Sequence, residues 1–365
     1  MSPMSLRDIR AHVGELLISG FDGLTLPAEM REIARQFDLG GTIIFSRNVE
    51  APAQVAELAL ATESLRKDTP LWFSVDQEGG RVQRLKEPFT RWPPMITLGR
   101  AKDAALAVRF AKAMAAELLS VGVTLDFAPV LDVLTNAKNP AIGDRALSER
   151  VEDVATLGRA LIEAFQGAGL AAAGKHFPGH GDTGVDSHED LPICELPPDR
   201  LRAVELVPFR QAIAADVAVM LTCHVLFTAI DEEQPATLSP RIVQGMLKDE
   251  LGYQGAVITD DLDMKAIANR YTIEETVVRC LRAGCDGFLI CNGDYDKKVR
   301  ALEAVIREAE GDLGFAKRVE DAMARMRRPK ARFLAGRRPS PHPDRLAALA
   351  PLEHQMVAAE MRQWL

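Results

Sequence analysis

The feature that most constrains the fold of this chain is a rhythm of eight short apolar runs, most of them followed by a longer amphipathic stretch. The runs are 15–20 (ELLISG), 41–46 (GTIIFS), 71–76 (LWFSVD), 124–132 (TLDFAPVLD), 170–176 (LAAAGKH), 217–224 (VAVMLTCH), 256–260 (AVITD) and 286–291 (DGFLIC). Near-continuous Val, Ile, Leu and Phe, without strict alternation, marks strands buried on both faces, and hence a parallel sheet covered by helices. Helices are predicted over 51–66, 101–120, 151–167, 199–215, 240–251 and 273–283. Eight such units suit an α/β chain closed into a single (β/α)8 TIM-type barrel better than an open doubly wound sheet. A phosphate-cradling G-x-x-x-x-G-K-[ST] is absent.

With 365 residues the chain could hold two domains, but a barrel of this size is routinely one. The expected layout is a catalytic barrel over 1–330 and a C-terminal helical extension, 331–365, packed on its outside. The basic stretches Arg327-Arg328-Pro329-Lys330 and Arg337-Arg338-Pro339 read as a solvated linker between them.

Polar residues gather where the apolar runs end: Asp76, Asp132, Lys175-His176, His224 and Asp260-Asp261. A barrel builds its active site at the C-terminal ends of its strands, so these residues are expected to converge on one rim. The densest chemistry follows the fifth run, in KHFPGHGDTGVDSH (175–188), which carries three of the seven histidines. Its glycines and proline exclude a continuous helix or strand, leaving a long loop, and loops of that kind are often functional. His176 and His180 have the i, i+4 spacing of a metal pair, but that spacing unites ligands only on a helix, which Phe177-Pro178-Gly179 interrupts. The preferred reading is a dyad in which the Asp186 carboxylate orients the His188 imidazole for proton transfer. In VITDDLDM (257–264) a strand runs into three acids; Asp261 or Asp263 is expected to cap or complement the following helix, leaving Asp260 on the rim as a nucleophile. In SVDQEGGRVQR (74–84) a strand-end acid, Asp76, precedes a Gly-Gly turn and two arginines, an arrangement able to fix a pyranose ring or merely to form a salt bridge.

Together, VDQEGGRVQRL, IGDRALS, KHFPGHGDTGVDSHEDLP and VITDDLDM resemble glycoside hydrolase family 3, in particular its single-domain bacterial β-hexosaminidase branch that recycles cell-wall sugars. The resemblance implies a retaining β-N-acetylglucosaminidase. Asp260 would be the nucleophile, His188 the acid/base and Asp186 its partner. Asp76, Arg84, Arg145, Lys175 and His176 would hold the N-acetylglucosamine ring. It implies no metal and no cofactor, and a peptidoglycan-derived muropeptide as substrate. The alternatives are a family 3 β-glucosidase, a phosphorylase using phosphate in place of water, and a non-catalytic sugar-binding protein.

The net charge of −8 argues against a surface made for nucleic acid or anionic lipid. No apolar run approaches the roughly 18 residues of a membrane span, and the N-terminus lacks a signal-peptide pattern. Five cysteines form no metal-ligand spacing and read as buried thiols. A soluble, cytoplasmic protein is therefore expected; the residues do not reveal its oligomeric state, for which a monomer is the default expectation.

Overall fold

A computed structural model of the protein describes residues 5–65, 68–336, 346 and 349–365. Eight parallel strands close into a barrel: β1 (Leu17–Ser19), β2 (Gly41–Ile44), β3 (Trp72–Val75), β4 (Leu125–Asp126), β5 (Ala171–Phe177), β6 (Val219–Thr222), β7 (Ala256–Asp261) and β8 (Gly287–Ile290). Each strand pairs with its neighbour in sequence and β8 returns to β1, as in a TIM-type barrel. All eight apolar runs supply a barrel strand. Their apolar residues are almost wholly removed from water, for example Ile18, Ile43, Phe73, Leu125, Ala173, Met220, Val257 and Leu289.

Helices follow the strands on the outside, and two of the expected ones are interrupted. Lys102 adopts a left-handed conformation (φ 51°) and Asp103 caps the next helix, splitting 101–120 into Ile96–Ala101 and Ala104–Ser120. The 199–215 helix divides into Pro198–Ala203 and Leu206–Ala214. β4 is shorter than its run. Pro129 has no N–H to donate, so beyond Asp126 the segment follows β5 only through separate bonds, such as Leu131 N–H to Lys175 O at 2.6 Å.

Two ladder irregularities fall where the chemistry is concentrated. Between β5 and β6 the register shifts from Gly174↔Met220 to Phe177↔Thr222, so Lys175 and His176 share the space of one partner residue. Between β7 and β8 it shifts from Ile258↔Gly287 to Asp261↔Leu289, leaving Thr259 and Asp260 in the same position. Such bulges re-aim side chains at the ends of barrel strands.

The basic stretch at 327–330 is not a solvated linker. It lies inside the helix Leu313–Leu334, where Arg327 makes a two-pronged pair with Glu15 (2.7 and 2.6 Å) and Lys330 is buried. The partner acid, 312 residues away in sequence, is what turns a charge run into a packed surface. The second basic stretch, Arg337-Arg338-Pro339, lies outside the described residues. A helix at Leu352–Arg362 packs Val357, Ala358 and Met361 into the core. Among the described residues, no helix is long and apolar enough to cross a membrane. All five cysteines are buried free thiols.

Candidate active site

Of the strand-end residues, Asp76, Lys175, His176 and Asp260 converge on one cavity, while Asp132, His224 and Asp261 stay outside its lining. The cavity, of about 530 Å³, mouth included, opens at the C-terminal face and is lined by Asp76, Arg84, Arg145, Lys175, His176, Asp186, His188 and Asp260. All eight residues singled out in the sequence meet there, from the ends of β3, β5 and β7 and the loops that follow β3, β4 and β5.

One wall is an ionic lattice. Lys175 Nζ donates to Asp76 Oδ1 at 2.8 Å and stands 2.6 Å from Glu78 Oε1. Arg145 grips Glu78 with Nε and Nη2, both at 2.8 Å, and donates Nη1 to the Ala141 carbonyl at 2.9 Å. Glu78 is buried, which alone would raise its pKa, but Arg145 and Lys175 outweigh burial and hold it well below the usual carboxylate range. Below them Asp126 is driven the other way, well above that range, by burial and by the nearby Asp76 and Glu78 carboxylates. Arg145 Nη2 also faces His176 Nε2 at 3.5 Å, so after these pairings Lys175 and Arg145 each keep one N–H for a ligand. Arg84 is held more loosely, 3.6 Å from Asp76 with its guanidinium 5.5 Å above the Phe45 ring.

His176 and Lys175 are adjacent in β5 and both line the cavity; the peptide between them is cis. Asp132 fixes His176 from beneath, accepting from Nδ1 at 2.6 Å, and also accepts the backbone N–H of His180 at 2.7 Å. His180 spends both ring nitrogens on hydroxyls, Thr183 at 2.7 Å and Ser187 at 3.1 Å. It is therefore a latch within the loop and no free partner of His176 for a metal. Burial, with His176 nearby, lowers its pKa to about 4. Among the described residues the group with metal-ligand spacing is His12, Glu15 and Asp38, which precedes β1 and β2 at the opposite end of the barrel.

The loop from 178 to 190 contains no helix. Its Gly179-His180-Gly181-Asp182-Thr183-Gly184 has the glycine spacing of a dinucleotide loop, but such a loop must open a helix to offer its N–H groups to a phosphate. Gly181 is there for close approach: a Cβ on it would lie 1.8 Å from the Val133 carbonyl oxygen. At the rim, His188 Nδ1 faces Asp186 Oδ1 at 2.8 Å, and Asp186 Oδ1 also accepts the His188 backbone N–H at 2.9 Å. Burial works to raise the Asp186 pKa; these bonds and the histidines overcome it, and the carboxyl sits below its ordinary value. The His188 side chain is 67% exposed, so the dyad stands at the cavity mouth. Lys265 to Glu189 (3.0 Å) and Arg270 to Asp190 (2.8 Å) tether the loop to the β7 side of the barrel.

Asp260 closes the opposite side. Burial favours its neutral form, but His176, His224, the N–H of Asp261 and His188 together lower its pKa. Its neighbour does not cap a helix as expected. Asp261 Oδ1 accepts N–H groups from Asp263 (3.1 Å) and Cys291 (3.0 Å), and Asp263 pairs with Lys297. Only the short helix Lys265–Ala268 follows, without a side-chain cap. These acids bind β7 to the β8 loop instead.

Glu78, Asp132, His180 and His224 were not assigned roles from the sequence. Glu78 stands in the quoted VDQEGGR stretch, and its buried pairing could not be read from spacing. His224 is wholly buried, facing Thr237 Oγ1 at 2.8 Å and the Asp261 carbonyl at 3.0 Å.

Comparison with known proteins shows the family. Residues 8–328 match the glycosyl hydrolase family 3 N terminal domain. A β-hexosaminidase of Alkalilimnicola ehrlichii is 42% identical over 297 residues, covering 80% of this chain and 83% of that protein. One from Pseudomonas aeruginosa is 41% identical over 298 residues, covering 80% and 87%. Among solved structures, a family 3 β-N-acetylglucosaminidase from Paenibacillus superposes with a TM-score of 0.90 at 37% identity, over 98% of this chain and 68% of that one. NagZ from Neisseria gonorrhoeae gives 0.71 at 29% identity, over 86% and 97%.

Proposed function

The chain belongs to glycosyl hydrolase family 3 and is a β-N-acetylhexosaminidase that removes N-acetylglucosamine, and from that premise we propose that it works by a retaining double displacement. The observation that carries this reading is the meeting of an anionic Asp260 with the Asp186–His188 dyad across one cavity.

In the first step Asp260 attacks the anomeric carbon as the glycosidic C–O bond breaks. His188, with Nδ1 held by Asp186, gives the leaving oxygen a proton from Nε2. The products are a glycosyl ester on Asp260 and a neutral imidazole. In the second step Nε2 takes a proton from water as that water attacks the anomeric carbon, releasing Asp260 and the sugar with its configuration retained. Asp76, Arg84, Arg145, Lys175 and His176 hold the ring. Acceptor oxygens on Asp76 and the unspent donors of Lys175 and Arg145 match sugar hydroxyls and an acetamide carbonyl.

The proposed natural substrate is N-acetylglucosaminyl-β-1,4-anhydro-N-acetylmuramic acid, with or without its peptide, met in the cytosol. The similarity to NagZ supports it, as do the sequence motifs of the cell-wall-recycling branch. Trapping with a fluorinated N-acetylglucosaminyl fluoride, followed by peptide mass mapping, tests the mechanism: the sugar mass should appear on Asp260. An adduct elsewhere, or an oxazoline product with none, would overturn the nucleophile. Turnover of the anhydromuropeptide against chito-oligosaccharides tests the substrate.

A further inference from the structure

The helix Leu352–Arg362 lies beyond the span that matches the family pattern, and it reaches the sugar cavity through a chain of buried hydrogen bonds. His354 Nδ1 faces Glu117 Oε1 at 2.7 Å. Glu117, on Ala104–Ser120 and 4% exposed, also accepts from Thr90 twice, backbone N–H at 2.9 Å and Oγ1 at 2.5 Å. The Thr90 carbonyl accepts from Gln83 Nε2 at 2.7 Å, and Gln83 Oε1 accepts the Trp92 N–H at 3.2 Å. Gln83 precedes Arg84 directly. On its other side, Arg84 and Leu85 give their backbone N–H groups to Gln77 Oε1 at 2.8 and 3.0 Å.

Arg84 needs this support. Its guanidinium has one long ion pair, its Nε is buried without a partner, and the Phe45 face restrains it without fixing a direction. The side chain therefore points where its backbone aims it, and that backbone is held by Gln77, Gln83 and Thr90. The C-terminal helix adds two further ties to the same strap of chain: Gln355 Nε2 to Thr90 Oγ1 at 3.4 Å and Arg362 to the Arg91 carbonyl at 2.8 Å.

We propose that the C-terminal helix is a brace that positions Arg84 for the sugar, with His354 as its positioning residue acting through Glu117, Thr90 and Gln83. The proposal rests on the reading of Arg84 as a sugar-binding residue. Binding that is lost equally from ground and transition states raises KM and leaves kcat unchanged. His354→Ala should therefore raise KM for an aryl N-acetylglucosaminide about fivefold or more while kcat stays within about twofold, as expected when uniform binding is lost.

The test is steady-state kinetics on the full chain, well below its melting temperature, for His354→Ala, His354→Gln, Arg84→Ala, Arg84→Lys and the Arg84→Lys/His354→Ala double variant. His354→Gln, which keeps an N–H for Glu117, should restore most of the KM. The His354→Ala effect should also largely vanish in the Arg84→Lys background, because neighbours acting through one group are not additive. Thr90→Val, which alters no helix residue but removes the hydroxyl that meets Glu117 and Gln355, is the second variant should His354→Ala fold poorly, and it should show the same KM shift. An unchanged KM in His354→Ala and Thr90→Val, a fall in kcat at constant KM, or full multiplicativity with Arg84→Lys would overturn the brace. If Arg84→Ala itself leaves KM unchanged, the sugar-binding role of Arg84 fails instead.

Discussion

The Lys175 ammonium stands 2.6 Å from the Glu78 carboxylate, with each residue only 2% exposed, and the same carboxylate holds Arg145 with both oxygens. Glu78, with Asp76 on Lys175, thus balances two cations presented to the sugar while leaving each a free N–H group. Glu78→Gln keeps the shape and removes the charge, depriving buried Arg145 of its ion pair and leaving Lys175 with Asp76 alone. Breaking a buried pair from one side costs about 3–5 kcal/mol. Urea unfolding of Glu78→Gln should fall near the lower end of that range, since the amide oxygen still accepts one bond. A loss below about 1 kcal/mol would place the lattice in the surface class of ion pairs.

A second expectation concerns His188, whose acid role matters only when the leaving group needs a proton. His188→Ala should hydrolyse an N-acetylglucosaminide with a poor leaving group about 10²–10⁴ times more slowly, the range for a lost general acid. A dinitrophenyl glycoside needs no proton, so its first step should stay fast and the second, lacking a base, should stall. Rapid-mix kinetics should show a burst of dinitrophenol close to the enzyme concentration. An equal loss for both substrates and no burst would remove His188 from the acid/base role.

The eight strands were legible because residues buried on both faces must be apolar wherever they occur, and no tertiary detail is needed to see that. The eight cavity residues were legible because they sit at strand ends or in family motifs. What supports them was not. Glu78 meets Arg145 across 67 residues, and Asp132 meets His176 across 44. Neither spacing has a local signature. The same limit explains Arg327, whose charge is absorbed by Glu15 across 312 residues. It also explains Asp261, which has cap-like spacing but spends its oxygen on the β8 loop.

Asp261 gives a pH signature of stability. Burial first, then Asp263, raises its pKa from 3.8 to about 7. Between those values the folded protein holds a proton that the unfolded chain has lost. The protonated carboxyl therefore favours folding at low pH, and that stability is lost as pH rises through the window toward 7. Asp261→Asn keeps an acceptor for the Asp263 and Cys291 N–H groups and has no proton to lose. Melting temperatures at pH 5 and pH 8 should differ less in the variant than in the parent, with the variant gaining most at pH 8. An unchanged difference would assign the titration elsewhere.

Phe45 supplies the last expectation, since its ring meets two guanidinium groups, Arg47 at 4.7 Å and Arg84 at 5.5 Å from its centroid. Arg47 is already fixed by the Phe21 carbonyl at 3.1 Å and by the Cys291 carbonyl, so it does not depend on the ring. Arg84 has no such anchors and leans on the ring face for its lateral position. A cation–π contact at a partly exposed site is worth about 0.5–1 kcal/mol, which corresponds to roughly a two- to fivefold change in affinity. Phe45→Leu preserves apolar bulk and removes the ring quadrupole, so KM for an aryl N-acetylglucosaminide should rise by about that factor with kcat little changed. Phe45→Tyr, which keeps the ring, should behave as the parent. If Phe45→Leu also leaves KM unchanged, the aromatic face does not hold Arg84, and the backbone strap alone determines where that arginine points.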